Sequence, residues 1–234
     1  MVVNVGLQPP NSLLHDGHRW SKFTSGHVLT VTRDALRQAP RGSFFVHASY
    51  LFAGAAEQAL AVGDRLQPVV DAALEAEDLV LRAPVAACVV RLGYLYGPGS
   101  RDLRSYRRAF LLRRPYWAGP KVKQRFVHTQ DAAQALLLAA RRRPVGRVFH
   151  AADNQPVPFG TFMDHFARLI GNPLPLHLPR VTRSMSRIVV SEAHMQMVEL
   201  DSAAVSDRPR PPAFQPRYAT YRSGLRQAVE AWRR

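Results

Sequence analysis

At 234 residues the chain is long enough for one sizeable core, or for a core with a small annex. Its 47% hydrophobic content, spread along the whole length, excludes a disordered chain, and its single cysteine excludes a disulfide framework or a cysteine-built metal site. The formal net charge of +15 is carried almost wholly by arginine, since lysine occurs only at Lys22, Lys121 and Lys123.

Taken in chain order, Val2 to Leu7 reads as a buried strand. Helical spacing follows over Ser25 to Gln38, and Phe44 to Ser49 is a second strand, rich in β-favouring residues. Arg65 to Arg82 carries apolar residues at Leu66, Val69, Val70, Ala73, Leu74, Leu79 and Val80, a helical pattern. Ala86 to Leu92 is a third strand and Arg101 to Leu112 a third helix. Phe126 to His128 and Arg147 to His150 are shorter strands on either side of a helix over Asp131 to Arg141, for which Asp131 is the expected N-cap. Phe159 to Ile170 is helical and is stopped by Gly171-Asn172-Pro173.

Strands alternating with helices of this length predict βαβ units and a parallel sheet, and continuous apolar strands suit a sheet covered on both faces. The expected fold class is therefore α/β, a doubly wound, Rossmann-type parallel sheet. Beyond about Gln155 the pattern turns helical and proline-rich. The expected division is a sheet domain over 1–154 and a small C-terminal region over 155–234.

The opening segment is too short and too uncharged for a signal peptide. No apolar run reaches the ~18 residues of a membrane span. A cytoplasmic protein is expected, with no membrane partner. The arginine clusters at Arg101 to Arg125 and Arg141 to Arg147 admit three readings: solvated helix faces, a polyanion surface, or a pocket for a phosphorylated or nucleotide-linked substrate. We favour the first, because no nucleic-acid motif of the usual kinds occurs. A basic nucleic-acid-binding protein stays as an alternative.

Five stretches, in order, resemble the extended short-chain dehydrogenases, the NAD-dependent epimerase/dehydratase family. They are Phe45 to Gly54, Arg91 to Gly99 (with Tyr-Gly-Pro-Gly at 96–99), Phe126 to Ala133, Val148 to Val157, and Pro216 to Leu225. The resemblance implies NAD or NADP as cofactor and a nucleotide sugar, or a related small carbonyl or hydroxyl compound, as substrate. It makes Ser49 the catalytic hydroxyl, puts Gly6, Leu7 and Tyr94 beside the cofactor, and puts Tyr96 and Arg91 beside the substrate. Bland roles compete with each of these: a strand-end turn for Ser49, sheet-edge packing for the tyrosines, and pairing with an acidic helix residue for Arg91.

Two features depart from the family. None of the fourteen glycines forms G-x-G-x-x-G or G-x-x-G-x-x-G, the loop that lets backbone approach a pyrophosphate. The opening strand matches the family's fourth, so the chain is expected to lack its first βα units and to expose an unpaired strand edge, open to a second copy or a partner. In addition, no tyrosine has a lysine four residues on, and Val69 and Ala73 occupy the matching positions. Without that pair the usual proton relay is missing, which implies a catalytically degenerate member, or a binding or regulatory module that keeps the fold. His15 and His18 lack a third metal ligand, so no metal site is expected. Glu192, His194 and Glu199 read as a solvated helix face, and Met195 and Met197 as packing residues.

Overall fold

The computed structural model describes residues 1–5, 27–58, 60–113, 116, 119, 121–178, 192–202 and 208–233. In chain order the elements are β1 (Val2–Asn4), α1 (Val28–Arg37), β2 (Phe44–Tyr50), α2 (Gly54–Glu57), α3 (Gln67–Leu81), β3 (Ala86–Leu92), β4 (Tyr94–Tyr96) and α4 (Arg101–Leu111). They continue with β5 (Lys123–Gln124), β6 (Phe126–His128), α5 (Thr129–Arg142), β7 (Val148–Ala151), β8 (Val157–Pro158), α6 (Phe159–Leu169), α7 (Glu192–Glu199) and α8 (Tyr221–Ala231).

β1, β2, β3 and β7 form a parallel sheet in that order, as expected of a doubly wound α/β chain. All seven residues of β2 are buried, which is why the strand reads as a continuous apolar run. Side chains alternate between the two faces. Phe44, Val46 and Ala48 pack with Cys88, Val90, Phe149 and the Ala132–Ala135–Leu136–Ala139 stripe of α5. Phe45, Ala87 and Val89 pack on the opposite face with Val80 of α3 and Leu36 of α1. Each buried Val, Leu or Phe side chain among them contributes roughly 1.5–3 kcal/mol of transfer free energy.

A second core is mostly aromatic. Tyr96, Tyr106, Phe110, Phe126, Phe159, Phe162, Phe166 and Tyr221 meet there, drawn from both sides of residue 154. Phe126 and Phe162 stack at 4.1 Å between ring centroids. α8 comes close to this core because residue 224 is glycine. A Cβ there would stand 2.8 Å from ring atoms of Tyr96.

Local details differ from the sequence expectations. Tyr94–Tyr96 is a strand, paired in parallel with β6 as a separate two-stranded sheet. The cap of α5 is His128, whose Nδ1 accepts from the Gln130 N–H. Asp131 instead accepts the backbone N–H groups of Arg217 and Tyr218, fastening the C-terminal segment to the helix start. His194 is fully buried and hydrogen-bonded to Tyr106 at 2.8 Å, which corrects the solvated-face reading of that residue. The same helix buries Gln196, whose Oε1 accepts the Arg65 and Leu66 N–H groups at 2.9 Å each and so caps the start of α3. His15 and His18 lie outside the described residues.

Candidate functional site

Ligands of open α/β sheets bind beyond the carboxyl ends of the strands. At that end, β2, β3 and β7 carry Ser49, Arg91 and His150 in direct cross-strand register, on the sheet face that packs against α3. Arg91 is 1% exposed, and a buried guanidinium requires carboxylate partners. Glu77 of α3 takes its Nε at 2.9 and 3.1 Å and its Nη2 at 2.7 Å. Glu57, at the end of α2, takes Nη1 at 2.8 Å and Nη2 at 2.7 Å. Burial works against the Arg91 charge, but hydrogen bonds and charge from the two carboxylates outweigh it and raise its pKa. The Glu57 carboxyl is held down to about 2, chiefly by its hydrogen bond with Arg91.

This network decides how two expected site residues are used. Arg91 pairs with acidic helix residues and is enclosed by them, so it has no surface left for a substrate. Ser49, 2% exposed, donates its hydroxyl to Glu77 Oε1 at 2.5 Å. Tyr96 is fully buried in the aromatic core, edge-on to Phe126, His128 and Phe162, away from any ligand surface. Tyr94 is half-buried and donates its hydroxyl to Asp102 at 2.8 Å. Gly6 and Leu7 lie outside the described residues. The structure thus joins Ser49 and Arg91 through Glu77 and leaves the two tyrosines in the neighbouring aromatic layer.

Beside the network lies a cavity of about 250 Å³, lined by Leu51, Arg125, His150, Ala152, Arg208 and Arg210. Its basic wall is a strap over β7. Pro209 O accepts the His150 N–H at 3.1 Å, so the strap adds to the outer edge of β7. The Arg208 N–H donates to His150 Nδ1 at 3.4 Å, which puts the proton of a neutral imidazole on Nε2. The Arg208 side chain donates to Glu57 Oε2 at 3.0 Å, and Arg210 donates to Asn154 Oδ1 at 2.7 Å. Arg125, before β6, is held at its backbone N–H by Ser202 Oγ at 2.8 Å. Three arginines lining one small cavity suit a phosphate or carboxylate. Sequence reasoning missed Arg208, Arg210 and Glu57. The available signal was a lone glutamate after an apolar run and a proline-flanked arginine pair.

The other wall is apolar. Leu51 and Ala152 belong to a cluster with Leu66, Val69, Val70, Ala73 and Ala193. Val69 and Ala73 are 2% and 1% exposed within it. A dinucleotide at this end of the sheet would need a phosphate cradle, and the family's usual proton relay would need a hydroxyl and an amine at positions 69 and 73. The residues present do not fit that relay, and the chain contains no glycine-rich cradle. Among the described residues no cluster of His, Cys, Asp or Glu is placed to hold a metal ion, and no helix is long and apolar enough to cross a membrane.

No protein-family model matches the chain. A curated relative, the 3-diazoavenalumate denitrifying reductase of a Streptomyces species, is 29% identical over 160 residues. That match covers 67% of this chain and 51% of the reductase, about half its length. Among solved structures, the human epimerase family protein SDR39U1 with NADPH superposes with a TM-score of 0.72 at 18% identity, covering 97% of this chain and 81% of that one. MoeE5 in complex with UDP-glucose and NAD gives 0.66 at 20% identity, covering 99% and 78%. UDP-glucose 4-epimerase of Thermotoga maritima gives 0.61 at 14% identity, covering 97% and 75%.

Proposed function

From the premise that the chain has the Rossmann-type fold of the NAD-dependent epimerase/dehydratase short-chain dehydrogenases, we propose that it builds the substrate end of an NAD(P)-dependent reductase- or epimerase-like site. The substrate class is a small carbonyl or hydroxyl compound that carries a phosphate or carboxylate, nucleotide sugars included. One observation carries this reading: Arg125, Arg208 and Arg210 converge on a single cavity beyond the carboxyl ends of the sheet. NAD or NADP is the cofactor class, supported by the neighbours solved with NADPH or NAD. The residues of this chain bind and orient. The arginines fix the anionic end of the substrate, and Leu51 and Ala152 give it a dry wall. Ser49, with its hydroxyl committed to Glu77, belongs to the frame that holds Arg91.

Calorimetric titration with UDP-glucose tests the reading. Arg210→Ala and Arg125→Ala are each expected to weaken binding by about tenfold, in keeping with loss of one charge-assisted hydrogen bond. Wild-type affinity in both variants would remove the cavity from consideration.

A second reading, a binding module without chemistry, is favoured by the apolar pair Val69 and Ala73. A carbonyl ligand that binds tightly yet never oxidises NADPH would support it over the first.

A further inference from the structure

Glu57 sits where the buried network meets the cavity wall. Arg91 forks onto its carboxylate from the interior, and Arg91 is itself fixed from behind by Glu77. The carboxylate of Glu57 therefore has a set position. On its outer side Oε2 accepts Arg208 Nη2 at 3.0 Å. Arg208 is otherwise a surface residue, with 42% of its side chain exposed. An arginine side chain loses much rotamer freedom on being fixed, so an unanchored one is a poor half of an anion site.

Charge neutralisation does not account for Glu57. Arg91 already has a full buried partner in Glu77, so a second carboxylate is surplus to pairing it. A negative charge next to an anion-binding cavity also repels the ligand. Besides accepting Arg91 Nη1, which Glu77 does not reach, Glu57 adds a fixed acceptor that aims the Arg208 guanidinium. The backbone of Arg208 is tied separately, through its N–H to His150 Nδ1, so the side chain is the part left to orient.

We propose that Glu57 is a positioning residue for anion recognition, holding Arg208 at the cavity wall without touching the ligand itself. The proposal rests on the reading of the arginine cavity as the anion site. It describes a relay of fixed charges, Glu77 to Arg91 to Glu57 to Arg208, that carries the rigidity of the core to a surface side chain.

The test is the affinity of the full chain for inorganic phosphate, measured by calorimetry on samples shown by circular dichroism to be folded. Glu57→Gln is expected to weaken phosphate binding by about fivefold, and Arg208→Ala by about tenfold. The double variant should bind no more weakly than Arg208→Ala alone, because Glu57 acts only through that arginine. Removing a carboxylate without any positioning effect would tighten anion binding, so unchanged or tighter binding in Glu57→Gln overturns the proposal. In that case weakened binding in Arg208→Ala and Arg210→Ala would leave the cavity reading standing. Should neither arginine variant change phosphate affinity, the cavity reading itself fails and takes the proposal with it. Glu57→Asp keeps a negative charge at this position while drawing the carboxylate back from the arginines it holds, Arg208 included. It should bind phosphate more weakly than the wild type, and wild-type affinity would again overturn the proposal.

Discussion

The two walls that meet beyond the carboxyl ends of β2 and β7 are made of opposite chemistry. One is Leu51 and Ala152, backed by the apolar side chains of Leu66, Val69 and Ala73. The other is Arg125, Arg208 and Arg210, oriented by His150, Asn154 and Glu57. Binding and proton transfer are separable tasks on this fold, and under the proposed reading the chain equips the wall for one of them only. Electrostatic grip needs charges held in place, which the strap and the Glu77–Arg91–Glu57 network provide. A relay would need a hydroxyl and a base on α3, where valine and alanine complete the packing instead.

The largest expected effect breaks the polar side. Arg91→Leu leaves Glu77, 3% exposed, without its cation, and should cost about 3–5 kcal/mol of stability by chemical denaturation. Replacing Glu77 by leucine as well should recover part of that loss, since a matched apolar pair removes both charges. A single variant as stable as the wild type would mean that the network does not frame the site.

Next in size is the effect of Asp153, directly after β7. Its Oδ1 accepts the Gln155 N–H at 3.1 Å, while Oδ2 is buried and has no hydrogen-bond partner among the described residues. Burial pushes the carboxyl up from 3.8 to about 7, against the pull of Arg210 and Arg125 and with a smaller push from Asp131. Tyr96, whose own pKa is raised by burial and then by Asp153, faces it from the aromatic layer. Because the folded value lies above the unfolded one, this stability is full below about pH 4 and is lost as pH rises through about 7. The slope is at most ~1.4 kcal/mol per pH unit. Asp153→Asn should flatten the stability profile over that window. An unaltered slope would show that Asp153 is ionised in the fold throughout.

The sheet and the likeness of the chain to the short-chain dehydrogenase fold are legible in the residues. β2 and β3 are nearly continuous apolar runs, and the pairing of Arg91 with a helix acid was among its expected roles. What sequence spacing does not carry is the partner set of the network. Glu57 lies 34 residues from Arg91 and 151 from Arg208, and only the crossover of the chain brings them together. His194 reads as a surface residue because it is polar, and nothing in the spacing singles out Gln196. Their burial follows from Tyr106 and from the start of α3, neither of which is near them in sequence.

The smallest effect sharpens the comparison from its apolar side. Val69→Tyr with Ala73→Lys would restore the relay residues that the family resemblance implies. Both positions are closed, however: Val69 and Ala73 pack against Leu51, Leu66 and Val70 with almost no exposed surface. A phenol and an ammonium there would overpack the cluster and bury polar atoms with no acceptor supplied, at a cost of roughly 1–3 kcal/mol. The expected outcome is a lower melting temperature with no NADPH oxidation gained and with phosphate affinity unchanged, because the arginine wall does not depend on those positions. If the double variant instead stayed as stable as the wild type and began to turn over NADPH, the apolar wall would be an open nicotinamide site short of two side chains, and the division between the two walls would collapse.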